Sequence, residues 1–285
     1  MVDFTKMHGL GNDYLFIDIR GQAQRDDSEW SELASIMSDR HFGVGSDGII
    51  LIDNPNTEAA LAKMRIFNSD GSESEMCGNG LRAMAKWLYD RGQWQQEAGI
   101  ETGAGVLYPE ILETRAGRAH RIRVNMGQPR LTRAAMAMLG QPDASCFNEW
   151  LDIDGATVSM SCVSMGNPHA MIFGPLWDVE TMAHRGPQIE NHPVFQNRTN
   201  VHSVEILGPD HMRMRHWERG AGLTLACGTG VSAALVAAIL TQGVSRRATV
   251  EVPGGELVAE WDESSGAVFL TGTAQEVFQG QYDPR

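Results

Sequence analysis

No stretch of this chain approaches the roughly 18 consecutive apolar residues that a membrane-spanning helix requires. Basic side chains are in the minority, 23 Lys and Arg against 36 Asp and Glu, for a net charge of −13. That balance argues against nucleic acid or an anionic membrane as partner. Cysteine is scarce, four in 285 residues, and neither Cys-x-x-Cys nor His-x-x-x-His spacing accompanies it. A redox dithiol and a metal site are therefore not expected. The opening Met1-Val2-Asp3-Phe4-Thr5-Lys6 lacks the basic-then-apolar layout of a secretory signal. With so few cysteines, the expected compartment is the reducing cytoplasm. No Gly-x4-Gly-Lys phosphate loop occurs, no dinucleotide-binding loop is expected, and no low-complexity tract interrupts the pattern.

What is present is one local arrangement that occurs twice. Cys227-Gly228-Thr229-Gly230 precedes Val231 to Leu240, a run with no charge and no breaker. Such a run reads as a helix apolar nearly all round, hence buried. Cys77-Gly78-Asn79-Gly80 precedes Leu81, Met84, Ala85 and Leu88, apolar at helical spacing. The copies lie 150 residues apart (227 − 77), about one domain length. Nine residues before each cysteine stands a polar residue able to hold a ligand, Asn68 in one copy and Glu218 in the other. A cysteine that enters a helix sits among unpaired N–H groups at the positive end of the dipole. That setting favours thiolate and predicts a pKa below the ordinary thiol value. The same N–H groups would hold a carboxylate.

Around these helices the chain reads as short strands and glycine turns. Residues 4–18 are strand-like, broken by a polar turn over Met7-His8-Gly9-Leu10-Gly11-Asn12-Asp13. A helix is expected over 27–39, strands over 49–52 and 64–67, and further short strands after Gly99. Met126-Gly127-Gln128-Pro129-Arg130 is the best candidate for a domain crossing. Beyond it, strands are expected over 157–163, 170–173, 199–207, 211–217, 248–252, 256–261 and 267–270. The expected class is α+β, two sheet-rich units with a central buried helix headed by cysteine.

Two thiols on opposite sides of a small ligand suit one reaction. One removes a proton from carbon and the other returns a proton to the opposite face, inverting the centre without a cofactor. Because an amino-acid α-hydrogen is a very weak acid, the carbanion needs electrostatic stabilisation as it forms. Gly78-Asn79 and Gly228-Thr229 are the natural N–H donors. For Cys146 and Cys162, which precede no such turn, the expected role is packing. His8, His41, His120, His184, His192, His202, His211 and His216 receive no functional claim, and Gly43 and Gly45 read as turn formers.

Five blocks together resemble the diaminopimelate epimerase family: Met7 to Asp13, Phe67-Asn68-Ser69-Asp70-Gly71-Ser72, Cys77 to Gly80, Met165-Gly166-Asn167-Pro168-His169, and Glu218-Arg219-Gly220-Ala221-Gly222 with Cys227 to Gly230. The resemblance implies interconversion of LL- and meso-diaminopimelate with no PLP and no metal, on the route to lysine and peptidoglycan. It implies two pseudo-symmetric domains, each a largely antiparallel or mixed sheet wrapped around a central helix, with the site in the cleft between them. The C-terminal segment is expected to return to the first half, so the domains become 1–126 plus 272–285 and 127–271. By position, Cys77 and Cys227 resemble the catalytic bases, and His169 and Glu218 the groups that tune them. Asn12, Asn68, Asn167, Asn200, Glu218 and Arg219 resemble the residues that hold the substrate's amino and carboxylate groups. A homodimer is also implied. The chain departs from some members at Gly48, where they carry a substrate-contacting glutamine, and from many at Leu223, where they carry glutamate. The rival readings are a two-thiol racemase of the proline or histidine type, a non-catalytic small-molecule binder on the same scaffold, and a redox protein.

Overall fold

The computed structural model describes residues 1–22 and 25–284. It divides into two compact units, Met1–Val124 with Gly272–Arg285, and Asn125–Thr271.

In the first unit the strands are β1 (Val2–Gly9), β2 (Asn12–Asp18), β3 (Gly48–Asp53), β4 (Ala60–Asn68), β5 (Glu73–Ser74), β6 (Gly99–Thr102) and β7 (Gly105–Leu107), followed by a hairpin of β8 (Glu110–Arg115) and β9 (Arg118–Asn125). Helix α1 (Asp27–Ser38) precedes β3, and α2 (Gly78–Asp90) precedes β6. The polar turn expected over 7–13 shrinks to two residues. Leu10 (φ 56°) and Gly11 (φ 89°) both adopt the left-handed conformation of a tight hairpin turn. Met7 pairs with Tyr14 and His8 with Asp13 in the ladder, so this segment is sheet, and Met7 is buried in it. Helix α1 forms where Trp30, Leu33, Ala34 and Met37 share one buried stripe. Asp26 accepts from the Glu29 backbone while the Glu29 carboxylate accepts from Asp26 N, a complete capping box.

Gly43-Val44-Gly45-Ser46-Asp47-Gly48 does spell Gly-x-Gly-x-x-Gly. It nevertheless runs from the end of α1 into β3, whereas a dinucleotide loop leaves a strand and enters a helix. Its Asp47 serves the site described below instead.

The second unit contains β10 (Glu149–Ile153), β11 (Ala156–Ser164), β12 (Pro168–Phe173), α3 (Val179–Glu190), β13 (Asn200–Gly208), β14 (His211–Glu218), β15 (Gly222–Thr224), α4 (Gly228–Gln242), β16 (Arg247–Val252), β17 (Gly255–Trp261) and β18 (Val268–Thr273). The last strand, β19 (Gln275–Tyr282), pairs antiparallel with β1 and belongs to the first unit.

Both sheets are mixed, and the same crossovers recur in each. In the first unit β2 and β3 are parallel neighbours, joined through α1, and β4 and β6 are parallel neighbours, joined through α2. In the second, β12 and β13 are joined through α3, and β14 and β16 through α4, again in parallel. Short β5 pairs with β4 as β15 pairs with β14. Residues therefore correspond by place: Cys77 with Cys227, Asn68 with Glu218, and Gly48 with Asn200 at the first positions of β3 and β13.

No element is expected over Val179–Glu190, a stretch that contains Gly186-Pro187. Helix α3 forms there all the same. Asp178 caps it by accepting from Thr181 N, and Met182, Gly186 and Ile189 are buried. Gly186 is required by packing, since a Cβ there would lie 2.6 Å from the Trp217 ring. The repeat itself was the available signal, since α1 stands at the corresponding place. No helix among the described residues is long and apolar enough to cross a membrane.

Candidate active site

Each unit builds half of the site around its cysteine. Cys77 is the N-cap of α2, extended at φ −138° and ψ 118°, and its sulfur accepts from Gly80 N at 3.5 Å. Tyr14 Oη donates to the same sulfur at 3.8 Å. The thiol in turn donates to Asn12 Oδ1 at 3.6 Å.

The orientation of Asn12 is dictated from both sides. Its Nδ2 donates to Asp47 Oδ2 at 2.8 Å, so its oxygen must face the cysteine. Asn79 Nδ2 donates to that oxygen at 3.1 Å, and Asn79 Oδ1 accepts from Arg82 Nη2 at 2.6 Å. Asp47 is held by Arg40, which also binds Asp13, and Asp13 pairs with Lys6. A carboxylate at one end and a guanidinium at the other leave the two amides no freedom to flip. Gly9 lets α2 approach, since a Cβ there would lie 3.2 Å from Asn79 Cβ.

Arg82 is fully buried, and its Nε and Nη1 have no hydrogen-bond partner. Burial lowers its pKa to about 10, opposed by the neighbouring Cys77. Asn68, at the end of β4, is held by hydrogen bonds from its Nδ2 to Ser72 and Ser74.

In the second unit Cys227 occupies the N-cap position of α4 without a side-chain capping bond, and Thr229 Oγ1 lies 3.6 Å from its sulfur. Glu218 ends β14 and its Oε1 accepts from Thr224 Oγ1 at 2.6 Å. Asn200 is buried, and both ends of its amide are used. Nδ2 donates to Pro168 O at 2.8 Å, and Oδ1 accepts from Arg219 N at 2.9 Å. It thus locks the Glu218–Arg219 corner in position. Buried Glu190 of α3 supports the same corner, accepting from Gly220 N and Trp217 Nε1. The Arg219 side chain is exposed and donates to Asn197 O.

Asn167 Oδ1 lies 2.9 Å from His169 Nε2 and opens a buried chain. His169 Nδ1 and His202 Nε2 are 2.9 Å apart, and His202 Nδ1 and His216 Nδ1 are 3.1 Å apart. Since the amide oxygen can only accept, the protons of three neutral rings are determined. His169 carries its proton on Nε2, His202 on Nε2 and His216 on Nδ1. His216 Nε2 is then a bare lone pair, and it is a buried atom with no partner. Burial holds all three neutral: His169 and His216 fall to about 3, and His202 falls well below its ordinary value.

Both thiols depart from expectation. Burial pushes the Cys77 thiol up, despite the N–H groups of Gly80 and Asn79 and the Tyr14 hydroxyl. Burial pushes the Cys227 thiol up further, and the adjacent Glu218 carboxylate adds to it. The helix N-terminus favours thiolate by a term limited to its first turn, whereas taking a thiolate out of water costs more. Cys77, Cys146, Cys162 and Cys227 are all free, and Cys146 and Cys162 belong to an apolar core cluster.

The residues singled out from sequence thus gather in two sets, Asn12, Asn68, Cys77, Gly78 and Asn79 in the first unit, and Asn167, His169, Asn200, Glu218, Arg219, Cys227, Gly228 and Thr229 in the second. Sequence reading missed Tyr14, Asp47, Arg82, His202 and His216. Arg82 gave no signal, because at helical spacing it shares a face with Asn79, Lys86 and Asp90 and so reads as part of a polar stripe. The matching position of the two cysteine helices also explains Gly230. A Cβ there would fall 2.5 Å from His202 Cε1 and 3.1 Å from Cys227 Sγ. Gly230→Ala is therefore expected to displace the thiol and reduce turnover at least about tenfold, the effect of a misplacement of a few tenths of an ångström to 1 Å. Wild-type steady-state rates in that variant would contradict this packing.

The duplicated mixed-sheet fold recurs in solved structures of low sequence identity. A probable proline racemase from Agrobacterium radiobacter superposes with a TM-score of 0.67 at 15% identity, covering 99% of this chain and 93% of that one. A Bacillus anthracis phenazine biosynthesis protein of the PhzF family gives 0.68 at 18% identity, covering 99% of both chains. Residues 4–132 and 161–277 match the family profile described as diaminopimelate epimerase. The diaminopimelate epimerases of Pelotomaculum thermopropionicum and Heliobacterium modesticaldum are 46% and 43% identical to the chain, covering 99% and 98% of it and 99% of each relative. The chain belongs to the diaminopimelate epimerase family.

Proposed function

We propose that the protein interconverts LL- and meso-2,6-diaminopimelate by proton transfer at an α-carbon, with Cys77 and Cys227 as the two bases, one for each face. The observation that carries this reading is a thiol at the N-cap position of the corresponding helix in both units. Each supplies a thiol and, one residue on, first-turn N–H groups without intrahelical partners. Those of Gly78 and Asn79, and of Gly228 and Thr229, are oriented to hold a carboxylate and the enolate-like charge that grows on it.

The raised thiol pKa values fit the task. A thiolate formed in a dry setting is a stronger base than one in water, which a weak carbon acid demands. Arg82, buried without a carboxylate partner, offsets the negative charge that develops at Cys77. Asn68, Glu218 and Arg219 serve the amino and carboxylate groups of the substrate, with Asn200 and Asn167 supporting the second half. Glu218 and His169 adjust Cys227. The protein acts as a homodimer in the cytoplasm on this reading; four free thiols accord with a reducing compartment.

The test is exchange in heavy water. The α-hydrogen of LL-diaminopimelate is expected to be replaced by deuterium as the meso form appears, with no PLP or metal added. Single L-amino acids, proline and histidine included, are expected to exchange far more slowly, because unpaired polar groups at the distal end penalise a shorter ligand. Arrest by a carbonyl trap or by EDTA would contradict the cofactor-independent reading. Faster exchange of proline would move the substrate elsewhere.

A further inference from the structure

A ring nitrogen of His169, a ring nitrogen of His202 and Cys227 Sγ lie within 4.8 Å of one another, and all three residues are buried. Because 33 and 25 residues separate them in sequence (202 − 169 and 227 − 202), no spacing rule detects the group. We propose that this cluster is a binding site for a soft divalent cation of the Zn2+ type, and that occupancy inhibits the enzyme by removing Cys227 from the reaction.

The first argument is geometric. Two nitrogens on one tetrahedral zinc stand about 3.3 Å apart, given metal–nitrogen bonds of about 2.0–2.1 Å. His169 Nδ1 and His202 Nε2 are already 2.9 Å apart. The two nitrogens now meet head-on, with ring centroids 5.1 Å apart, so both rings must separate slightly and rotate to aim their lone pairs at one ion, and Cys227 Sγ supplies the softer ligand. Gly230, with no Cβ, lets the His202 ring and Cys227 Sγ come this close together, since a Cβ there would lie 2.5 Å from His202 Cε1 and 3.1 Å from Cys227 Sγ.

The second argument is proton placement. Metal binding requires a lone pair on both rings, whereas His202 Nε2 now carries a hydrogen. The chain can invert without changing its charge. His202 gives up its Nε2 proton and takes one on Nδ1 from His216 Nδ1, and His216 takes one on Nε2. The net change is one proton moved from His202 Nε2 to His216 Nε2, the buried atom that has no partner at present. After inversion His169 Nε2–H still donates to Asn167, and His202 Nδ1–H donates to His216. Each ligating ring then has its outer N–H held by a partner, the arrangement that orients histidine on zinc. The Cys227 thiol releases one proton on binding. Thiolate and the adjacent Glu218 carboxylate together balance the two positive charges.

The inhibitory consequence rests on Cys227 being a catalytic base, but the binding claim does not. The experiment is therefore done in two arms on the full, reduced, chelator-treated protein. Co2+ is titrated as a spectroscopic stand-in, and Zn2+ binding is followed by calorimetry. One equivalent per chain is expected, with a thiolate-to-cobalt charge-transfer band and tetrahedral d–d bands. Cys227→Ser is expected to lose the charge-transfer band, and His202→Gln to weaken Zn2+ at least about tenfold through loss of one ligand. Cys77→Ser is expected to bind as wild type does. Absence of a thiolate band, undiminished binding in Cys227→Ser, or wild-type affinity in His202→Gln would overturn the site. In the second arm Zn2+ is expected to suppress epimerisation and EDTA to restore it. Stoichiometric binding at Cys227 without inhibition would overturn the inhibitory role. Failure of exchange on diaminopimelate in metal-free protein would count against the proposed function alone.

Discussion

Replacing Cys77 or Cys227 with alanine is expected to lower epimerisation by roughly 10²–10⁴-fold or beyond detection, the contribution of a positioned general acid or base. Either single change suffices, because inversion needs a proton removed on one face and one delivered on the other. The structural cost is modest. The Cys77 sulfur caps α2 through Gly80 N at 3.5 Å, and removing an N-cap costs about 0.5–2 kcal/mol. Cys77→Ser retains a cap and isolates chemistry from folding, since a hydroxyl is a far weaker acid than a thiol. The informative measurements are the rate of meso product formation from LL-diaminopimelate and the thermal midpoint of each variant. Full activity in folded Cys77→Ala would refute the two-base scheme.

The second large effect is on stability in acid. His169 and His216 have folded pKa values of about 3 against about 6.5 when unfolded, with burial as the main cause in both, and His202 is also driven well below 6.5. Between those values the unfolded chain binds protons that the folded chain refuses, so stability falls as pH falls. From pH 6.5 to 5 the loss is about 2 kcal/mol for each such histidine, 1.5 units at about 1.4 kcal/mol per unit. For His169 and His216 together that is about 4 kcal/mol, close to the 5–15 kcal/mol that holds a typical domain together, and His202 acts in the same direction. Buried carboxylates such as Asp13, whose pKa is lowered by Arg40 and Lys6 against the cost of burial, act only at lower pH. The urea midpoint is thus expected to drop steeply between pH 6.5 and 5, and less steeply in His216→Val. A midpoint unchanged over that interval would show that these rings titrate normally.

Both expectations depend on features that sequence reading treated unequally. The cysteines were legible because their setting is local: a capping position, two glycines and an apolar run lie within one short segment. The sign of their pKa shift was not legible. It depends on how much water the completed fold removes from the sulfur, and on Glu218, nine positions from Cys227 in sequence and adjacent to it in space. Helix α3 was not expected, although the crossover from β12 to β13 repeats the one from β2 to β3. The resemblance drew attention to Asn200 as a substrate ligand. In the structure both ends of its amide hold backbone, and it braces the Glu218 corner.

Local chemistry in the chain was enough to determine which groups head the two buried helices, how the strands alternate, and that one scheme is written twice. Capping and periodicity act over a few residues, so they survive in a linear string. Only the tertiary structure decided that Asp47 and Arg82 orient two amides beside Cys77, and that His169, His202 and His216 share protons behind Cys227. Those partners come from separate strands and helices. Their ionisation follows from burial, which belongs to the assembled fold and to no segment of it.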